Sequence, residues 1–155
     1  MANGNERLFG IDLRLLPNLE RANSREPGND LVVAPRLTTK LMDLETVAAV
    51  ENLQQALLLR FLTPVGELAV LGHPDYGCRL AELIGELNSE TNRNRAKLFV
   101  LQALAAEPRV QKVLDVGVTQ SRRDRTAVDI AVTLQAIDSD TPLNLVFPFS
   151  FEGGA

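Results

Sequence analysis

The sequence predicts an α+β domain in which helices cover one face of a small, mainly antiparallel sheet. Two observations support this. Apolar residues recur at helical spacing between Asp43 and Phe61 and again between Ser89 and Leu104, and beyond residue 110 the period shortens to two. Between the helical and the alternating half stands Ala105-Ala106-Glu107-Pro108-Arg109-Val110. Proline lacks an amide donor and drives the residue before it out of the helical region, so the second long helix is expected to end at or before Glu107.

Residues 1–42 read as an N-terminal extension and 43–155 as the α+β domain. The extension holds two short apolar pieces, Leu8–Leu13 and Leu31–Val33, around a polar loop with Pro27 and Gly28. Each piece fits either a short strand or an arm packed on the body or on a neighbour. The first helix, over Asp43–Phe61 with Asp43 or Thr46 as cap, places Val47, Val50, Leu53, Leu57 and Leu58 or Phe61 on one face. Glu51, Gln54 and Gln55 fall mostly elsewhere.

Leu62–Glu67 reads as a turn, Leu68–Leu71 as a short apolar segment and Gly72–Gly77 as a loop. A short helix over Arg79–Leu87 turns Leu80, Leu83 and Ile84 inward. The next helix starts at Ser89, turns Ala96, Phe99 or Val100, Ala103 and Leu104 inward, and leaves Arg93, Arg95 and Lys97 exposed.

In the second half Val128, Ile130, Val132 and Leu134 alternate with Asp129, Ala131, Thr133 and Gln135, the pattern of a strand with one buried face. Leu114, Val116 and Val118 supply its antiparallel partner across the polar reversal Ser121–Arg125. Asn144–Phe147 is a third strand, limited by Pro148 to a short pairing or a sheet edge.

Composition narrows the function. With 45% hydrophobic and 23% charged residues and a net charge of −4, the chain offers no whole-molecule field for nucleic acid. The clusters Arg93, Arg95, Lys97 and Arg122, Arg123, Arg125 lack aromatic residues nearby for base stacking, so they read as solvated faces or protein contacts. One cysteine, Cys78, and one histidine, His73, exclude an internal disulfide and make a zinc site hard to assemble. The pair also lacks a third orienting residue for a Cys–His nucleophile. No metal and no cofactor are expected. No apolar run approaches the ~18 residues of a membrane span, and the N-terminus carries no apolar signal core, so a cytoplasmic start and no membrane insertion are expected.

Glu107 is the most conspicuous charge. At a helix C-terminus a carboxylate faces the negative end of the dipole and needs compensation. The plain reading is an internal ion pair or a solvated turn; the other is that Glu107 and Arg109 project together toward a partner.

Three segments stand in order: Leu62-Thr63-Pro64-Val65-Gly66-Glu67, Gly72-His73-Pro74-Asp75-Tyr76-Gly77-Cys78-Arg79-Leu80 and Glu107-Pro108-Arg109. Together they resemble the baseplate wedge proteins of contractile phage tails and injection systems, a family that includes TssE of type VI secretion and carries an older tail-lysozyme-like label. The likeness spans residues 43–137. Leu71–Gly77, with Asn144–Pro148, is most similar to the extracellular injection-system branch.

The resemblance implies a body like the handshake domain of sheath subunits and a structural, non-enzymatic baseplate role in a phage tail-like particle assembled in the bacterial cytoplasm. It assigns Glu107, Pro108 and Arg109 to the core bundle of the wedge, and Thr63, Gly66, Glu67, Pro74, Asp75, Tyr76 and Gly77 to the motif loops. Sheath subunit arms would add as strands, with Val128, Ile130 and Val132 or Leu145 and Phe147 as candidate docking edges, thereby nucleating sheath assembly. Inner-tube or spike-hub proteins are further neighbours. Reversing the charge of Glu107 is expected to stop assembly without unfolding the protein.

The alternative is a peptidoglycan-cleaving, lysozyme-like glycoside hydrolase. That chemistry needs two carboxyl groups about 5–9.5 Å apart across the scissile bond. Glu67, Asp75 and Glu107 are the candidates, and their spacing marks out neither an acid nor a nucleophile.

Overall fold

The computed structural model describes residues 8–16, 18 and 31–152. Their elements are β1 (Ile11–Leu13), β2 (Val33–Pro35), β3 (Met42–Leu44), β4 (Thr46–Ala48), α1 (Ala49–Leu62), α2 (Glu90–Ala105), β5 (Val110–Gln120), β6 (Ala127–Ala136) and β7 (Leu143–Ser150). The fold is α+β, with antiparallel sheets as the sequence predicts. The polar loop predicted over Asn23–Asp30 lies outside the described residues.

The main sheet has the order β5-β6-β7. β6 pairs with β5 from Gln120↔Val128 to Val110↔Ala136 and with β7 from Ala127↔Ser150 to Leu134↔Leu143. Its alternation resolves as expected: Val128, Ile130, Val132, Leu134 and Ala136 are all buried. They join Leu53, Leu57, Leu58 and Phe61 of α1 and Ala96, Phe99, Val100, Ala103 and Leu104 of α2 in one core. Phe61 stacks on Phe147 with ring centroids 4.7 Å apart, fastening α1 to β7.

Ser89 caps α2 by accepting the Asn92 amide at 3.2 Å. α2 stops at Ala105, before the Glu107-Pro108 break.

The structure corrects several sequence expectations. α1 begins at Ala49, not near Asp43, and its N-cap residue Ala48 makes no side-chain cap. The run Met42–Ala48 is extended instead, because Asp12, Leu13 and their neighbours pair with it, and Ala49 takes a φ of 53° where strand turns into helix. Helical spacing in Val47 and Val50 was overridden by strand pairing.

Gln54 and Gln55 are buried, not turned away. Gln55 accepts the amide of Leu15 at 2.8 Å and donates to the Leu13 carbonyl at 2.8 Å, while Asn52 donates to the Phe9 carbonyl at 2.6 Å. Backbone polar groups removed from water need partners, and the amide side chains of α1 supply them to residues 9–15.

The helix expected over Arg79–Leu87 is a single 3-10 stretch ending at Leu83, with Ile84 half exposed. Arg93 and Arg95 are half-buried, because Arg93 bonds Asn88 and Arg95 bonds the Asn92 side chain. Lys97 alone of the three is exposed.

The position expected to divide extension from domain, between residues 42 and 43, falls inside β3. β1, from the N-terminal side, pairs with β4 along Ile11↔Ala48, Asp12↔Val47 and Leu13↔Thr46.

Candidate functional site

The end of α2 builds a charged corner. The Glu107 amide donates to the Leu104 carbonyl at 3.1 Å, and the Val110 amide returns to the Glu107 carbonyl at 3.1 Å, so Pro108 sits at the apex of a tight turn leading into β5. This geometry swings the Glu107 side chain inward, where it is only 5% exposed. Its Oε1 accepts from Arg109 Nε at 2.6 Å and from the Arg109 amide at 3.3 Å, and its Oε2 accepts from Arg60 Nη2 at 3.3 Å. Arg109 Nη1 also reaches the Phe9 carbonyl at 3.5 Å.

Two guanidiniums therefore provide the compensation that a carboxylate at a helix C-terminus requires. Burial works to raise the Glu107 pKa, but the Arg109 hydrogen bonds and the charges of Arg109 and Arg60 outweigh it and hold the carboxyl below its ordinary range.

Arg60 is the residue that sequence reasoning missed. It lies in the last turn of α1, three residues after Leu57, so a cation on the buried face of a core helix was the available signal. Its guanidinium lies 4.5 Å over the Tyr76 ring, and its buried Nε has no hydrogen-bond partner. Tyr76 is half-buried; burial and the Glu107 charge raise its hydroxyl pKa against the opposing charges of Arg60 and Arg109.

The loop that delivers Tyr76 is tied at both ends. The Cys78 amide donates to the Thr63 carbonyl at 2.8 Å, Pro64 and Cys78 form a parallel bridge, and Thr63 Oγ1 donates to the Leu59 carbonyl at 2.8 Å. Gly77 has a φ of 118°, and a Cβ there would meet the Thr63 carbonyl oxygen at 2.5 Å. Only glycine fits where the two loop ends touch.

Of the expected site residues, the structure thus brings together Glu107, Pro108, Arg109 and Tyr76, with Thr63 and Gly77 closing the loop behind Tyr76. Gly66, Glu67, Pro74 and Asp75 are exposed along the loop.

Of the two readings of Glu107, the structure bears out the internal ion pair and not the outward projection, since the carboxylate is consumed inside the chain. The outcome to expect from charge reversal changes accordingly: Glu107→Arg would place three guanidiniums in one buried corner, so a cost to the fold itself is expected along with any loss of assembly. β6 is the central strand, paired on both sides, so Val128, Ile130 and Val132 lie on no edge. Leu145 and Phe147 do belong to an edge strand, β7, with their side chains buried in the core.

Cys78 is buried and its Sγ lies 3.6 Å from the Phe99 carbonyl. Burial raises its thiol pKa, which disfavours the thiolate that a nucleophile needs. Among the described residues no group of three His, Cys, Asp or Glu side chains could hold a metal ion, and no helix is long and apolar enough to cross a membrane.

No protein-family model and no curated protein matches the chain. Among solved structures, it is similar to a protein from Geobacter sulfurreducens provisionally described as a tail lysozyme. The two are 24% identical with a TM-score of 0.56, and the likeness covers 65% of this chain and 89% of that one. At this identity the comparison shows a shared α+β fold.

Proposed function

We propose that this chain is a structural component of the baseplate of a contractile, phage tail-like particle, joining the core bundle of the wedge to the first sheath ring. One observation carries this reading. Motif residues about thirty positions apart, Tyr76 and the Glu107-Pro108-Arg109 turn, converge on one rigid corner braced by Arg60. The likeness in fold to a tail protein agrees with it.

In this reading Glu107 is the internal brace. Pro108, exposed at the apex, and Arg109, whose side chain keeps 24% of its surface, are what a wedge protein would touch. Sheath arms would add to β5 or β7, because an edge strand carries unmatched N–H and C=O groups that a donated strand satisfies. Register shifts between Val110 and Asp115 and the missing amide of Pro148 interrupt the two edges, so regular pairing is offered by Val116–Gln120 on β5 and by the part of β7 before Pro148.

Hydrolysis of a glycan is the less favoured reading. A general acid needs a raised carboxyl pKa, whereas that of Glu107 is lowered by its two arginines, and Glu67 and Asp75 stand on an exposed loop.

The test is a cryo-EM reconstruction of the assembly recovered with the tagged chain from producing cells, compared with the Arg109→Ala variant. Density beneath a sheath ring, lost in a variant that still purifies folded, is the expected result. Recovery of the chain free of any particle, with cleavage of purified peptidoglycan, would overturn it.

A further inference from the structure

β1 and β2 lie end to end opposite one continuous run of chain. The Arg14 amide donates to the Glu45 carbonyl at 2.8 Å, the Glu45 amide to the Val32 carbonyl at 2.8 Å, and the Val32 amide to the Arg14 carbonyl at 3.2 Å, so the two short strands meet opposite Glu45. The result is one two-stranded ribbon, with Met42–Ala48 as its unbroken strand.

Alternate positions of a strand share a face. One face holds Val47, fully buried against the core. The other holds Ile11, Leu13, Val33, Met42 and Leu44, which are 63, 37, 54, 62 and 42% exposed. β2 and β3 pair with each other and with no other strand, and a two-stranded hairpin is marginal in water without something packed on its apolar face.

The rest of the chain is a poor cover. Residues 1–7, 17, 19–30 and 153–155 contain only Met1 and Leu19 as large aliphatic side chains. The charged residues of the paired strands alternate with the stripe and so lie on the opposite face, where Arg14 pairs with Glu45 at 3.0 Å and Arg36 with Asp43 at 2.7 Å. The outer-face strand positions, which besides the stripe are Pro35, Thr46 and Ala48, therefore carry no charge to select a charged partner, and a second identical face can lie on them without bringing like charges together.

Its exposed apolar area, on the order of several hundred Å², is comparable with the apolar part of the roughly 800 Å² that each partner gives a standard interface. We propose that the outer face of this ribbon is a self-association surface, closing two-fold on the ribbon of a second copy of the chain as two stacked β layers.

Sedimentation velocity of the full chain across the micromolar range tests this, with Leu44→Asp and Met42→Lys as variants. A concentration-dependent dimer is expected, weakened at least about tenfold by either substitution, which is about 1.4 kcal/mol or more, with circular dichroism unchanged and the melting temperature unchanged in dilute solution. Because Cys78 is buried, a Leu44→Cys variant carries the one accessible thiol among the described residues and should cross-link to itself under mild oxidation. Leu114→Cys, on β5 and away from the ribbon, should not. A monomer at every concentration, dimerisation indifferent to the ribbon variants, or equal cross-linking at both cysteines would overturn the proposal.

Discussion

The corner at the end of α2 and the ribbon formed by β1–β4 invert the usual partition of side chains in opposite ways. The corner buries a carboxylate with two guanidiniums; the ribbon exposes five large aliphatic side chains. The corner is satisfied from within, because loop, helix and turn each bring a complementary group to Glu107. The ribbon is not, because nothing described in the chain covers its outer face. Removing a group from the corner should therefore cost folding stability, and adding a charge to the ribbon should not.

The largest effect is expected at Glu107. Replacing it by glutamine leaves Arg60 and Arg109 facing each other with no anion between them, and breaking a buried pair from one side typically costs about 3–5 kcal/mol. Urea denaturation would measure the loss, and a loss below about 1 kcal/mol would mean that the corner is wetter than its burial indicates. The pH dependence has a defined sign. The folded carboxyl pKa lies below its ordinary value of 4.5, so its stabilising contribution is complete above that value and disappears as pH falls through the folded pKa. The wild-type protein should lose stability over that acidic window, and Glu107→Gln should flatten that part of the curve.

Gly77 comes next, because it holds the Tyr76 loop against the corner. Alanine there must adopt a φ of 118° and meet the Thr63 carbonyl oxygen at 2.5 Å. The expected cost is about 2–3 kcal/mol, seen as a lower melting temperature, with a weakened Tyr76–Arg60 contact reported by tyrosine fluorescence. Gly66 also has a positive φ, of 89°, but open space around its Cβ direction. Gly66→Ala should therefore cost less than Gly77→Ala, separating close approach from backbone strain alone.

The two regions also differ in how far the sequence discloses them. Strand β6 and helix α2 were legible because a single periodicity ran through each, and Pro108 marked the boundary; the register shifts in the first half of β5 left no such mark in the sequence. The corner was half legible. Glu107 announced an unsatisfied helix terminus, but its partner Arg60 lies 47 residues earlier, and sequence spacing does not encode which distant cation will arrive. The ribbon was least legible. Val47 and Val50 fit a helix as well as Met42, Leu44 and Thr46 fit a strand, and only pairing with residues 11–14 and 32–35 decides between them. Gln55 was misread for the same reason: its partners are backbone groups about forty residues away.

Ser89 gives a calibration between the extremes. It satisfies one amide at the start of the helix that ends in the corner, and Ser89→Ala should cost about 1 kcal/mol. That loss should add to the Glu107→Gln loss within about 0.5 kcal/mol, because the two ends of a sixteen-residue helix lie about 24 Å apart and share no partner.

The smallest effect on folding is expected at Leu44, where the comparison is sharpest. Its side chain is 42% exposed, the strand positions that share its face carry no charge, and its strand pairs with no strand outside the ribbon. Leu44→Asp at low protein concentration should change monomer stability by no more than about 0.5 kcal/mol. If it instead destabilises the monomer by 2 kcal/mol or more, the outer face is packed within its own chain and the contrast with the corner collapses. If the effect is near zero in dilute solution and grows with concentration, the apolar side chains are being buried between molecules. Mass action then accounts for the dependence, since a contact formed only by the folded state stabilises it in proportion to how much of its partner is present.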